Sequence, residues 1–221
     1  MMTKKYIREQ LGLKLSENLK IDDFRFVKSK NHIIRKLEDG FNLIEYRIID
    51  YNPIFFIELS LAIRLNIVEE IINRFLGKEI MNPQSKTHTL TLGIGFNFLM
   101  GDSNDVKVEN EDELRDIINK YNVGIKTKGL SYFTNYSNLL NANKFKKENI
   151  LSDTSGVSYL LRNLMQSLTL MKLCNDPDFE LLYPKYLEYY VPISGQEVVG
   201  RKAIVELYDY LKKCNYSNNI K

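Results

Sequence analysis

The chain has 221 residues, 44% of them hydrophobic and 27% charged, a mixture that is typical of a folded globular protein and excludes a charge-rich disordered chain. Lys and Arg number 31 against 28 Asp and Glu, so the formal net charge is +3, and it is spread along the whole chain. This balance by itself predicts neither nucleic-acid nor membrane binding, because both usually accompany a clustered basic stripe.

The sequence predicts a cytoplasmic protein. Residues 1–15 lack the apolar core and the small-residue cleavage site of a secretory signal, and no stretch approaches the roughly 20 apolar residues of a membrane helix. Cys174 and Cys214 lie far apart in helical patterns, which favours buried thiols in a reducing compartment over a disulfide framework. Heavy use of Lys, Asn and Ile indicates an AT-rich bacterial genome.

The first predicted elements are a helix and a series of strands. Residues 3–19 form one apolar helical stripe despite Gly12, since apolar residues recur at every fourth position: Ile7, Leu11, Leu15 and Leu19. Strands are predicted at residues 24–28, 32–37 and 41–51, where short links and the Asp39-Gly40 pair allow tight reversals.

Two segments show the clearest strand pattern in the chain. Apolar and polar residues alternate over 55–65 and again over 90–98, where Gly93 and Gly95 share one face. Together with the earlier strands they predict an α+β fold built on a mainly antiparallel sheet of about five strands with packed helices.

Helices are predicted after each of these strands. Asn66 and Glu69 have the spacing of a capping box, and Gly77 stands where that helix would end. Asn110 and Glu113 repeat the spacing ahead of a helix that runs to Tyr121. A short break between Gly124 and Gly129 and a helix over 132–141 follow.

The last third of the chain is predicted to be helical. Residues 144–155 are polar and predict a linker, so the chain divides into a sheet domain, 1–145, and a helical C-terminal region, 146–221. A strong apolar helical stripe covers 157–168. Asp176-Pro177 opens a further helix, Pro184 is expected to kink or restart it, and Ser194 with Glu197 is expected to cap the last helix.

The Gly93-Ile94-Gly95 segment superficially has the form of a nucleotide-binding loop. Such a loop needs its glycines in a turn between strand and helix, whereas the alternation here continues through both glycines and Phe98 stands where a third glycine is required. We therefore expect a strand with a small-residue face.

Acidic residues concentrate before the helix that starts near residue 111. The spacing from Asp102 to Glu113 is that of an EF-hand calcium loop, but Val106 and Lys107 occupy positions that need a ligand and a glycine. Two interpretations stay open: solvated carboxylates that favour the helix dipole, or a contact surface for a basic partner. The candidate partner-binding residues of this cluster are Asp102, Asp105, Glu109, Glu111, Asp112 and Glu113.

A tyrosine cluster near the C-terminus supplies a second candidate surface. Tyr186, Tyr189 and Tyr190 combine apolar rings with polar tips, which suits an interface, although rings three and four residues apart also seal helix junctions.

No catalytic, metal or cofactor site is predicted. His32 and His88 have no second ligand at metal-binding spacing, and no nucleophile elbow or activated cysteine is evident. A site that assembles only in space stays open.

The order of elements over residues 1 to about 145 resembles small bacterial domain-of-unknown-function proteins. The resemblance depends on the Gly40 turn, the 55–65 and 90–98 strands and the stretch Gly129-Leu130-Ser131-Tyr132-Phe133. It implies a cytoplasmic protein of interaction type, because some relatives of that shape look like immunity partners of bacterial toxins.

We therefore predict a non-enzymatic bacterial interaction protein with a protein partner, of the immunity or defence-associated kind. The alternative is an enzyme or nucleic-acid-binding factor whose site lies between the sheet domain and the helical extension.

Overall fold

The computed structural model describes residues 2–30, 32–77, 89–102, 106–150, 157–190 and 197–216. They form an antiparallel sheet with packed helices and a helical C-terminal region, which confirms the predicted α+β class. The chain divides into two compact units, and each is considered by itself: unit 1 is 1–64 with 92–135, and unit 2 is 65–91 with 136–221. This division differs from the predicted boundary after residue 145.

Unit 1 begins with helix α1, Lys4–Asn18. Thr3 caps it by accepting a hydrogen bond from the Tyr6 backbone N–H at 3.2 Å. The predicted stripe of Ile7, Leu11, Leu15 and Leu19 is wholly buried. Gly12 lies on the same side, and a Cβ there would come within 2.2 Å of the Phe26 ring, so glycine lets this ring pack directly on the helix.

The sheet of unit 1 has six strands among the described residues. They are β1 (Arg25–Val27), β2 (His32–Leu37), β3 (Gly40–Tyr51), β4 (Ile54–Leu65), β5 (Leu92–Gly95) and β6 (Val106–Val108). The order is β1-β2-β3-β4-β5. Strand β6 pairs with residues 55–57 of β4, whereas β5 pairs with residues 60–63 of β4. Strand β2 is antiparallel to β1 and β3, and β4 is antiparallel to β5 and β6. His32 lies opposite Glu45, Ile63 opposite Leu92, and Ile57 opposite Val106.

The predicted strand over 90–98 is too long. Its regular part ends at Gly95, and Phe96–Met100 forms helix α3. Phe96 and Phe98 would share one face of a strand, but the helix separates them: Phe96 is buried against Tyr121, with ring centroids 4.9 Å apart, and Phe98 is 79% exposed. The expectation that alternation continues through Gly95 is therefore wrong.

Strand β6 was not predicted. It has three residues and lies within the acidic segment, where the surrounding charges obscure its alternation. Val106 and Val108 are buried while Lys107 between them is exposed, so the period of two is present but short.

Helix α4, Glu111–Gly124, continues without the predicted break. A π-helical turn, Ile125–Gly129, joins it to helix α5, Leu130–Tyr136. The two glycines mark close packing and not a break: a Cβ on Gly124 would lie 2.3 Å from the Phe96 ring, and one on Gly129 would lie 3.1 Å from Leu61. The predicted 132–141 helix is also two helices, because Asn138 caps α6, Leu139–Asn149.

Unit 2 is a group of helices around α7. It contains α2 (Asn66–Ile72), α6, α7 (Val157–Leu173), α8 (Phe179–Tyr189) and α9 (Glu197–Lys213). Helix α7 contacts each of the other four, and its side chains from 164 to 171 are buried on every side. Because α6 extends to Asn149, the first half of the predicted 144–155 linker is helical; 151–156 lie outside the described residues.

The helix ends of unit 2 differ in part from the predicted ones. Helix α8 begins at Phe179, two residues beyond the predicted start, and it runs through Pro184 without restarting. Ser194, the expected cap of α9, lies outside the described residues. The expected end of α2 at Gly77 is wrong, because α2 stops at Ile72.

Within the described part of the chain, no helix combines the length and the apolar character that a membrane span requires.

Candidate binding groove on unit 1

The predicted acidic surface is largely neutralised within unit 1. Asp102 accepts a hydrogen bond from Lys120 Nζ at 2.6 Å, and the Asp112 carboxylate lies 3.1 Å from Arg115. Glu109 forms an ion pair with Lys107. A basic partner would therefore have to compete with cations that the chain already supplies. Asp105 lies outside the described residues.

Glu113 belongs to a helix cap, as its spacing predicts. Asn110 Oδ1 accepts from the Glu113 backbone N–H at 3.0 Å, and Glu113 Oε2 accepts from the Glu109 backbone N–H at 2.7 Å. Asn110 Nδ2 also donates to Glu113 Oε1 at 2.9 Å. Both carboxylate oxygens therefore satisfy groups at the start of α4.

Glu111, the remaining acidic candidate, lines a groove between α1 and α4. The groove has a volume of about 310 Å³. Helix α1 contributes side chains at every fourth position: Tyr6, Gln10, Lys14 and Asn18. Helix α4 contributes a matching row: Glu111, Leu114, Arg115, Ile118, Asn119 and Asn122.

The groove combines an apolar base with polar walls. Leu114 and Ile118 are buried, and the residues around them are mostly carboxamides and charged groups. Residues four apart on a helix share a face, so each wall is one continuous row along its helix. Glu111 and Asn122 are eleven helical steps apart, so a rise of 1.5 Å per residue gives a wall of about 16 Å.

The cations of the groove have acidic partners in their own helices. Lys14 Nζ lies 3.2 Å from Glu17, and Arg115 pairs with Asp112. Asn18 Nδ2 donates to the Lys14 carbonyl at 2.9 Å. The groove thus has little net charge apart from Glu111, which favours a near-neutral polar ligand over a polyanion.

Asn122 is the unusual residue of this groove. Its side chain is 8% exposed, and its Oδ1 is buried without a hydrogen-bond partner among the described residues. Leaving a buried acceptor unsatisfied costs about 1–3 kcal/mol. Buried polar groups in folded proteins almost always have partners, so Asn122 marks a position where an incoming donor would be stabilised.

The three tyrosine candidates do not share one surface. Tyr186 is buried, and its hydroxyl lies 2.9 Å from Ser167 Oγ. Tyr190 is also buried. A Cβ on Gly200 would lie 2.1 Å from the Tyr190 hydroxyl, so position 200 needs a glycine. Tyr189 is 38% exposed. Partner binding by these residues stays a prediction, and Tyr189 is the member with a substantially exposed ring.

Sequence reasoning assigned Glu69 the wrong role. Leu65, and not Asn66, is the N-cap of α2, and Asn66 is already the first helical residue. Glu69 is instead fully buried in unit 2: its Oε1 accepts from Gln166 Nε2 at 2.7 Å and from Thr91 Oγ1 at 3.0 Å.

A second set of bonds completes this buried network. Glu69 Oε2 pairs with the Arg162 guanidinium, which also donates to Asn73 Oδ1 at 2.9 Å. Thr91 Oγ1 in turn accepts from the Leu65 backbone N–H at 2.9 Å. Both carboxylate oxygens of Glu69 are satisfied inside unit 2, which fits a structural clamp better than a reacting group.

A further charged cluster in unit 2 is also satisfied internally. Lys147 Nζ lies 2.9 Å from Asp176 and 2.6 Å from Asp178. Burial alone would raise the pKa of Asp176, but hydrogen bonds from the Asp178 backbone, Lys147 and Asn143 outweigh it and lower that pKa. Asp176 is therefore a stable anion that holds α6 to the start of α8.

The remaining nucleophile and metal candidates give no reactive arrangement in the described ranges. Burial, with the Asp176 charge second, raises the pKa of the Cys174 thiol to about 11, which suppresses its thiolate. His32 lies 3.4 Å from Glu45, and His88 is outside the described residues. Across the residues that the structure describes, no three His, Cys, Asp or Glu side chains are grouped to hold a metal ion.

The fold and the groove together define an α+β protein whose sheet-containing unit presents a polar, near-neutral groove between two helices. Comparison with protein-family models, with curated proteins and with solved structures found no match.

Proposed function

We propose that the protein is a non-enzymatic interaction protein that binds a protein partner through the groove between α1 and α4. The narrower role, a cytoplasmic bacterial immunity or defence component, belongs to the same proposal and is motivated by the order of elements in residues 1 to 145. The observation that carries the proposal is the groove itself, with its two polar helical rows and the unsatisfied Oδ1 of Asn122.

The charge distribution supports a partner recognised by shape and hydrogen bonds. Four of the predicted acidic residues are engaged within unit 1, whereas Glu111 faces the groove. In unit 2, the buried Glu69 and the part-buried Asp176 use their oxygens on neighbouring residues, which supports a structural role for them.

A groove variant and a matched control test the proposal. Asn119 is an exposed groove residue, so Asn119→Arg places a long cation beside Arg115 without disturbing the core. Asn141→Arg makes the same change at an exposed helical position of unit 2. Arginine is a better helix former than asparagine, so both variants should fold.

The measurement is quantitative affinity capture from native bacterial lysate, using the full chain and both variants as baits. We expect one protein to be retained by the original chain and by Asn141→Arg, and to fall about tenfold with Asn119→Arg, a loss of roughly 1.4 kcal/mol. Equal capture of every protein by the three baits would contradict the proposal.

A further inference from the structure

The dimensions of the groove match one strand of extended polypeptide. Its walls run about 16–18 Å along α1 and α4, from the helical rise and the spacing of the lining residues. An extended chain advances about 3.3 Å per residue, so about five residues would fill this length.

The width of the groove favours an extended chain. A volume of about 310 Å³ spread over that length has a mean cross-section of roughly 20 Å². An extended backbone can enter a space this narrow, whereas a helix of about 10 Å diameter could rest only on the rim of the groove.

The chemistry of the groove matches peptide groups. Gln10, Asn119 and Asn122 carry carboxamides, which offer a donor and an acceptor each, as a peptide unit does. Lys14 and Arg115 are paired with Glu17 and Asp112, so the groove offers an anionic ligand little free positive charge.

Asn122 supplies the observation that points to a donor. Its Oδ1 lacks a hydrogen-bond partner among the described atoms, while its side chain lines the groove. The Asn χ2 torsion is broad, so the amide can rotate to meet a donor that enters the groove.

We propose that the groove holds an extended segment of about five residues from the partner polypeptide, with one backbone N–H of the segment donating to Asn122 Oδ1. This inference rests on the proposed function and names what enters the site. The carboxamides of Gln10 and Asn119 pair with further peptide groups along the same segment.

A phage-displayed library of random linear heptapeptides, selected on the full chain, is the probe. An enriched peptide is then synthesised, and its affinity for the full chain is measured by fluorescence anisotropy. We expect Asn119→Arg to weaken binding about tenfold or more, and Asn141→Arg to leave it unchanged.

Methylation of each backbone nitrogen of that peptide in turn locates the donor. We expect one position at which N-methylation weakens binding about tenfold to the original chain but has no additional effect on Asn122→Leu. Leucine keeps the branching of asparagine at Cγ and lacks the acceptor, so this non-additivity identifies the bond. Asn119→Arg, at an exposed position, keeps the test valid if Asn122→Leu does not fold.

Two results would overturn the inference: no peptide that depends on Asn119, or a selected peptide that tolerates N-methylation at every position. The proposed function fails separately. If Asn119→Arg abolishes capture of a native partner but no linear peptide binds, the groove is still the interaction site, and the inference of an extended segment is wrong. The opposite result is a peptide that binds the groove together with lysate capture that Asn119→Arg does not change. That result supports the extended segment and counts against the proposed native partner at the groove.

Discussion

Asn122 has an environment that does not suit its side chain. It is almost fully buried, and its Oδ1 has no hydrogen-bond partner among the described residues. Asn122→Leu removes that acceptor, keeps the branching at Cγ, and adds methyl volume that the adjoining groove can take up. We expect the free energy of unfolding to rise by about 1 kcal/mol, as measured by urea denaturation.

The control for this substitution is Asn119→Leu, one turn earlier and exposed, which should change stability by less than about 0.5 kcal/mol. A loss of stability in Asn122→Leu would show that the amide makes bonds that stabilise the fold. A gain in stability together with a loss of peptide binding is the pattern of a residue retained for function.

The sequence indicates that Gly12 destabilises its helix, but it does not show why a glycine is present there. Glycine inside a helix is unfavourable by about 1 kcal/mol relative to alanine. A Cβ at this position, however, would lie 2.2–2.6 Å from three atoms of the Phe26 ring. Gly12→Ala should therefore lower the free energy of unfolding by about 1–3 kcal/mol despite its better helix propensity.

The sign of this effect should reverse without the ring. In a Phe26→Ala background, Gly12→Ala should stabilise the chain by up to about 1 kcal/mol, because only the helix propensity remains. Thermal denaturation of the four chains measures the cycle. A destabilisation of equal size in both backgrounds would contradict contact with Phe26 as the cause.

At the scale of elements, the start of α4 is held by the Asn110 and Glu113 cap. Asn110→Ala should lower the free energy of unfolding by about 1 kcal/mol, since the Glu113 backbone N–H loses its acceptor. The control is Asn119→Ala, at an exposed mid-helix position where alanine is slightly favourable. Urea denaturation in which Asn110→Ala behaves like its control would contradict the cap.

Helices α2 and α7 are joined by the Glu69 network, which gives a second prediction at this scale. Glu69→Gln keeps the shape but places an amide N–H₂ opposite either Arg162 or the donors Gln166 and Thr91. We expect a loss of about 3 kcal/mol in the free energy of unfolding, because a buried charge pair is broken on one side.

Glu70→Gln is the matched control, since Glu70 is the next residue and is exposed. It should change the free energy of unfolding by less than about 0.5 kcal/mol. Hydrogen exchange at α7 amides adds a local measurement, because the network anchors α7 specifically. Equal stability of the two variants would mean that the Glu69 bonds contribute little.

Local patterns predicted most elements because each records burial of one face. Apolar residues at spacings of four in 3–19 and alternation in 55–65 correspond to α1 and β4. The same alternation gave a wrong prediction over 90–98, because Phe96 and Phe98 fit the apolar pattern of a strand although they lie in a helix. The helix is favoured by the packing of Phe96 on Tyr121, which is 25 residues away in the sequence and which no local pattern indicates.

At the scale of the whole molecule, the groove was only partly predictable. Glu111 was selected for its charge, but it lies beside Gln10 and Asn119, which no motif marks. A sign was present in the sequence: on α1, the polar row at 6, 10, 14 and 18 runs alongside the buried row at 7, 11, 15 and 19. Pairing that row with α4 depends on tertiary contacts, so sequence alone could not join the two walls.

Tyrosine ionisation should set the alkaline limit of stability for the whole chain. Tyr46 and Tyr121 donate to the carbonyls of Arg8 and Ile57 at 2.9 and 3.1 Å, and burial raises the pKa of both hydroxyls. In unit 2, burial and then the bond to Glu180 raise the pKa of Tyr208 to about 12. Both units therefore contain tyrosines that hold their protons more tightly when folded.

A folded-state pKa above the unfolded value of about 10 means that this stabilisation is complete below about pH 10 and is lost as pH rises toward about 12. We expect the free energy of unfolding to fall between about pH 10 and pH 12. Tyrosinate absorbance at about pH 11 should be lower for the folded chain than in concentrated urea, where all 14 tyrosines titrate normally.

Tyr121→Phe loses one hydrogen bond, so it should lower the free energy of unfolding by about 1 kcal/mol near neutral pH. Because it also removes a buried ionisable group, this loss of stability relative to the original chain should shrink as pH rises. Equal absorbance in the folded and unfolded chains would contradict the raised pKa values.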